Sequence, residues 1–458
     1  MGTGNWTIGL TLLGLSLAAR VGAATEFTGP DEWRLVNTNA VSAWNAAQRN
    51  LAPAAGQAWP GVVADTRKRE VRLLAEAVGH RQGVTAEFLL VGPLSDRAYE
   101  AAAVTVAMPS DIVRAVESLG LARGGGVGSR PFRFWPCGER VTATVRRLGV
   151  EGAEERPLQA LVRDADTAAP LFGEGGLVFT GGRWDNRSVC LTDTNMPSSV
   201  ISLYNEPCTL FDLPFQVGQS EVYGRLTLAE ALPFGALLEI VLRPQAPKDG
   251  VARVLPLTVT AAMAGPEVEL TCAGADGTLL KRAGLAETLT WLRGQAEAGR
   301  EPFVTLGMSD AMPLRRAVDA ARVFAMLDGK GLKLDGKPEQ GLYPRAFLPQ
   351  EKWRERADRN PQPFELHVAQ GADGAVKKKL VFIEEDWNVP GLDPKLTPRD
   401  YPFESWDEFP KLVEKAGGAD SKVELLFVFA PADLPLSLFM PGVRAVAGRL
   451  PLVYVFGE

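Results

Sequence analysis

The sequence predicts an α+β fold: a β-rich N-terminal domain followed by two small α/β modules related by duplication. Three observations carry this. Residues 87–121 (EFLLVGPLSDRAYEAAAVTVAMPSDIVRAVESLGL) run through a strand, a turn, a second strand and a capped helix with almost no filler. Residues 243–250 (RPQAPKDG) place two prolines and an Asp-Gly pair where no central strand can continue, which marks a linker. Beyond it strand and helix signals alternate, and short segments recur.

In the central stretch, Phe88, Leu89, Leu90 and Val91 form a continuous apolar run ended by Gly92-Pro93, the pattern of a strand buried on both faces. Residues 99–108 are rich in Ala and Val and stop at Pro109, which opens a helix at the position where a missing N–H costs nothing. Asp111 places negative charge in the first turn, against the positive end of the helix dipole. Ile112, Val116 and Leu119 share one helical face, and Gly120 stands where a left-handed residue ends a helix.

With 458 residues, 46% hydrophobic and 23% charged, the chain is long enough for two to three globular domains. A net charge of -6 without any dense basic stretch excludes a nucleic-acid footprint. Residues 8–19 (IGLTLLGLSLAA) match a signal-peptide core, and Val21-Gly22-Ala23 supplies small residues for cleavage. We therefore expect a signal peptide over 1–23 and a periplasmic or secreted product, since the run is too short to span a bilayer. No cysteine follows the run, which excludes a lipoprotein anchor, and no transmembrane helix is expected in the mature chain. Residues 24–60 read as an N-terminal arm with one helix near 41–50.

The four cysteines, Cys137, Cys190, Cys208 and Cys272, contain no C-x-x-C pair, so no metal or cluster ligand set is expected and no cofactor is assigned. In an exported protein they allow three disulfide pairings, of which Cys190 with Cys208 closes the shortest loop; four buried thiols are the alternative. With only two histidines, His80 and His367, triads and multi-histidine metal sites lack their parts. The glycines at 124–126 and 128 follow a helix instead of leading into one, so they read as a flexible connector and not a phosphate cradle.

These features resemble a known family. Glu87 with its apolar strand, Tyr99-Glu100, the small-residue strand, the proline-started helix and Gly120 resemble the YdjY-domain family of exported bacterial proteins. Trp135-Pro136, Gly138-Glu139, residues 141–145, Gly181-Gly182-Arg183-Trp184 and residues 200–203 resemble its later segments, so the likeness spans residues 61–245. Some members are described as iron-sulfur proteins, with a cysteine after the first strand and a His-Glu pair where this chain has Tyr99-Glu100. Both features are missing here. A redox protein is therefore the least favoured function.

Past the linker, residues 269–277 (ELTCAGADG) are echoed by residues 365–374 (ELHVAQGADG), and residues 303–306 with Asp310 and Pro313-Leu314 by residues 425–429 with Asp433 and Pro435-Leu436. Asp310 and Asp433 read as helix N-terminal caps. Each copy resembles the periplasmic domain of ExbD and TolR proteins, giving modules at 252–340 and 341–458. Those families carry a membrane helix with an ionisable residue before the domain, which this chain lacks, so proton-driven transport is not implied. The second module has an apparent insertion, 387–409, whose Trp387, Tyr401 and Trp406 suit a glycan or peptide surface or, more simply, a loop pinned by its own aromatics.

The expectation for function is an exported, non-catalytic binding or assembly protein of the cell envelope, with an envelope protein or glycan as partner. The alternative is a hydrolase using carboxylates, with Glu87, Tyr99 and Glu100 as catalytic candidates, because paired acids held close share acid and base roles. A cleft around these three favours the enzyme. A sealed, hydrogen-bonded Glu87 favours the scaffold.

Overall fold

The computed structural model describes residues 37–127, 135–168, 176–185, 188–194, 198–246, 253–325, 332–337, 341–344, 363–371, 373–386, 388, 395–417, 423–450 and 452–457. The expected signal peptide, Trp387 and residues 247–250 of the linker lie outside them. The fold is mixed α/β and strand-rich, as expected at that level.

Eight strands of the N-terminal domain close a barrel: Glu70–Ala77 (β1), Phe88–Val91 (β2), Ala101–Thr105 (β3), Glu139–Arg147 (β4), Leu177–Phe179 (β5), Ser199–Ser202 (β6), Phe211–Asp212 (β7) and Leu237–Pro244 (β8). Around the ring they run β1, β8, β4, β5, β7, β6, β2, β3, and β3 returns to β1 through Ala75↔Thr105, Glu76↔Val104 and Ala77↔Ala103. All of β2 and β3 is buried, as their unbroken apolar runs predict. A helix at Thr38–Ala55 (α1) makes the expected arm part of this domain: Val41 and Trp44 pack on Val63 and Leu74, and the Trp44 indole donates to Glu239 at 3.1 Å.

The helix Pro109–Glu117 (α2) starts at its proline and buries Ile112, Val113, Ala115 and Val116, as its spacing predicts. Asp193, far along the chain, accepts a 2.8 Å bond from the Ser110 amide and so satisfies an N-terminal donor of α2. Gly120 follows with φ +85°, donating to the Glu117 carbonyl. The next glycines are not a loose connector. Gly124 donates to Phe179 O, and Gly125 and Cys137 exchange bonds of 2.8 and 3.0 Å, fastening this stretch across the barrel wall.

The first module is a four-stranded sheet. Val254–Ala264 (β9), Glu267–Ala273 (β10) and Leu279–Gly284 (β11) form an antiparallel meander; helix Leu285–Glu297 (α3) then leads to Glu301–Met308 (β12), parallel to β9, and to helix Leu314–Ala325 (α4). The second module has Phe364–Gln370 (β15), Val376–Asp386 (β16) and Lys395–Phe403 (β17) as its meander, helix Phe409–Gly417 (α5), Leu425–Ala430 (β18) parallel to β15, helix Met440–Val446 (α6) and Leu452–Gly457 (β19). Strands Leu332–Lys337 (β13) and Gly341–Pro344 (β14) join this second sheet, β13 lying antiparallel to β19.

Several sequence expectations need correction. Residues 387–409 are no insertion: β17 within them is the third strand of the meander, pairing with β16 from Lys378↔Phe403 to Asp386↔Lys395. The strand expected to finish the first module, β13, pairs in the second sheet, so residue 340 is not a module boundary. The two Asp-Gly turns share one chemistry, with Gly274 bonded to Thr278 O and Gly371 to Ala375 O. They occupy different hairpins, however: β10 to β11 in the first module, β15 to β16 in the second. Asp310 and Asp433 are not helix caps. The residue before the short helix Leu436–Leu438 is Pro435, and the helix after Asp310 begins only at Leu314. The two aspartates pair with arginines instead, Asp310 with Arg444 at 2.7 Å and Asp433 with Arg315 at 3.0 Å.

A Cβ on Gly124 would stand 1.8 Å from Cys137 O, whereas one on Gly126 would meet nothing nearer than 3.9 Å. We expect Gly124→Ala to lower the urea stability by roughly 3 kcal/mol or more, as backbone overpacking does, and Gly126→Ala to be near neutral. Equal midpoints for the two variants would contradict the pinned loop.

Candidate functional site

The barrel brings Glu87, Tyr99 and Glu100 together. The Glu87 amide donates to Glu100 O at 2.9 Å, a rung between the starts of β2 and β3. Arg97, in the turn before Tyr99, reaches Glu100 Oε2 at 3.2 Å and the Tyr99 hydroxyl at 3.4 Å. Glu87 itself is 1% exposed, and its Oε2 accepts a 2.8 Å bond from Gln219 Nε2. Burial raises its carboxyl above the usual range, and the Gln219 bond opposes the shift. Tyr99 and Glu100 are half-buried. A general acid or base must reach the proton it moves, and Glu87 is shut off by its own wall.

Beside Glu87 lies a further set of groups that sequence reasoning missed. Tyr204 packs on Phe88 with ring centroids 5.6 Å apart, and burial pushes its hydroxyl up. Glu206 accepts from the Cys208 amide at 2.9 Å; burial pushes its carboxyl up to about 7. Asp212, fully buried in β7, accepts from Asn205 Nδ2 at 2.7 Å and from the Leu213 amide at 2.8 Å, while its Oδ2 has no partner. Burial is again the main cause holding Asp212 well above the ordinary range, and Glu206 adds to it. The only sequence cue was a pair of polar residues set in apolar runs.

Of the aromatic candidates, Trp387 lies outside the described residues. Tyr401 sits in β17 opposite Leu380, with the Lys415 ammonium 5.9 Å from its ring. Trp406 meets Phe403 edge-on at 5.5 Å and Phe409 at 6.0 Å, and Gly442 of α6 lies so close that a Cβ there would be 2.2 Å from Trp406 Cε3. These rings pin the module.

The bridge considered between Cys190 and Cys208 is not formed, and both carry thiols. Cys190 is buried at the start of the short helix Leu191–Asp193, and the loop is closed instead by the Thr192 hydroxyl donating to Cys208 O at 2.6 Å. Among the described residues no group of three or more His, Cys, Asp or Glu side chains is placed to hold a metal ion, and no helix is long and apolar enough to cross a membrane.

A cavity of about 430 Å³ lies away from Glu87, between the barrel and the first module, lined by residues that include Arg140, Thr142, Leu177, Gln245, Arg253 and Ala298. Compared with protein-family models, curated proteins and solved structures, the chain matches none of them.

Because Glu206 is held near 7 when folded, against 4.5 ordinarily, folding favours its protonated form. The sign follows: stability is greatest below about pH 4.5 as far as this group is concerned, and is lost as pH rises toward 7, by on the order of 2–3 kcal/mol. Glu206→Gln should therefore raise the urea midpoint at about pH 8 but not at about pH 5. A variant that keeps the full loss between these two values would reject this assignment.

Proposed function

We propose that this protein is an exported binding or assembly protein of the cell envelope and performs no chemistry at Glu87. The observation that carries this reading is the sealed glutamate: 1% exposed, hydrogen-bonded to Gln219 and held in the wall of a closed barrel. A carboxylate hydrolase needs an acid that meets substrate, and of the three candidates Glu87 does not. The signal-peptide pattern over 1–23 and the likeness of 61–245 to the YdjY domain support export.

We further propose that the two modules are ancient copies of one unit, a reading their sheet orders support. The sheet orders β11-β10-β9-β12 and β17-β16-β15-β18 agree when the meanders are matched strand for strand. The contact between them has the pattern of a two-fold axis. Pro313 and Pro435 form a bridge; Leu314 donates to Leu434 O as Leu436 donates to Met312 O, and Arg315 to Ala432 O as Ser437 to Asp310 O. Exchanging Met312, Pro313 and Leu314 for Leu434, Pro435 and Leu436 turns each bond into its mate. An internal pair of this kind suits a rigid platform for a partner in the envelope.

Fractionation of the native host with N-terminal sequencing tests export: the mature chain should begin near Ala24. Recovery of cytoplasmic protein that retains Met1 would reject it. In the same extracts, Glu87→Gln should retain every envelope partner captured by the wild type. A partner or turnover lost with this one substitution would return Glu87 to the functional residues.

A further inference from the structure

We propose that the cavity between the barrel and the first module is a binding site for a neutral, hydroxyl-rich ligand, in the simplest case one sugar ring. This deepens the binding reading above and rests on it. Residues of β4, the start of β5 and the segment after β8 form one side of the cavity, and Glu297, Ala298 and Gly299 at the end of α3 form the other. Its volume of about 430 Å³ lies at the small end of ligand sites, which run from roughly 300 to 1,000 Å³.

The charges around this cavity answer one another. Arg253 pairs with Glu139 at 2.9 Å and with Glu301 at 3.0 Å, and Glu301 also attracts Arg140 through space. Arg140 is 5% exposed and commits its Nη2 to Ala296 O at 3.3 Å and Arg300 O at 3.5 Å, so it acts as a strut of the joint. Glu297 adds an acid at the exposed rim. Arg140 and Arg253 thus stand against Glu139, Glu297 and Glu301. An anion would meet an excess of carboxylate. A cation would find a spare carboxylate only at Glu297, in water, where an ion pair contributes little. A neutral ligand disturbs none of these pairs.

The uncharged groups select among neutral ligands. Thr142 and Gln159 line the cavity, and the half-buried Gln159 carboxamide has no hydrogen-bond partner among the described residues. Gln245 lies across Gly176, where a Cβ would stand 2.4 Å from its Oε1, so bare backbone seats this amide in the wall. The C-terminal end of α3, the acceptor end of a helix, closes the far side. Donors and acceptors are therefore mixed around one small space. A hydroxyl turns to meet either kind, whereas an amide carries a fixed donor and a fixed acceptor. An apolar ligand would take water from these groups and return no hydrogen bond. Leu177, Ala143 and Pro157 supply apolar wall for the C–H side of a ring.

The test uses the purified full chain with glucose, galactose and N-acetylglucosamine as probes, read by calorimetry and thermal melting. Glucuronate, glucosamine, cyclohexanol and N-acetylalanine amide serve as anionic, cationic, apolar and amide controls. At least one neutral sugar should bind saturably and raise the melting temperature by about a degree or more at about 20 mM. Each control should bind at least roughly tenfold more weakly than that sugar. Gln159→Leu, which removes the free carboxamide, should weaken the sugar on the order of tenfold, and Ala298→Phe, which fills the cavity from an exposed position, by at least as much. If one variant fails to fold, the other decides. No saturable binding of any of the three sugars, a control that binds as tightly as the best sugar, or affinity unchanged in the deciding variant would each overturn the proposal. Since purified protein is used, such a failure leaves export and envelope partners to be judged by fractionation and capture alone.

Discussion

The pairing of β3 with β1 is the contact on which the rest of the structure depends. It converts a curved sheet into a ring, and a closed ring has no edge to protect. Its composition suits the task. β3 opens with three alanines, which let two strand walls approach, and Thr105 at its end donates to Leu74 O at 3.2 Å while accepting from the Ala107 amide at 3.1 Å. Glu87 stands just ahead of β2, which lies between β6 and β3 in this wall.

The local part of this fold was legible in the sequence. Phe88–Val91 read as a buried strand because four apolar residues stand between polar punctuation, and α2 read as a helix because Pro109, Asp111 and Gly120 each act within one turn. Ring closure was not legible, since pairing Ala75 with Thr105 depends on where intervening residues turn. The echoed Asp-Gly turns misled for a related reason. Gly374 and Gly277 both answer a local need for positive φ, which any tight hairpin has, so their recurrence says little about which strands they join. β17 went unread because two of its nine residues are prolines, which an edge strand tolerates and a central one does not.

The buried acids divide into two kinds, and the division explains the candidate site. Glu70 and Glu239 lie under the barrel surface with arginines in reach, Arg72 at 2.6 Å and Arg146 at 2.6 Å, so their charge is answered. Glu206 and Asp212 have amide and carboxamide donors but no ion-pair partner among the described residues, and burial dominates both. Such carboxyls favour the protonated state. They cluster with Tyr204 near Glu87, and burial pushes the Tyr204 hydroxyl up as well. Only the residue types were visible beforehand; the burial that sets their chemistry comes from strands far apart in sequence.

The joint between barrel and first module is built differently. Glu301 opens β12 and reaches back to the Gly138 amide, while Arg253, just ahead of β9, spans Glu139 and Glu301. Arg140 reaches the other way, from β4 to the final carbonyls of α3. As an anchor alone, a guanidinium is a poor choice, because an apolar side chain of similar volume in a buried contact is often as stabilising and carries no desolvation cost. Two long bonds to carbonyls leave most of its donors unanswered.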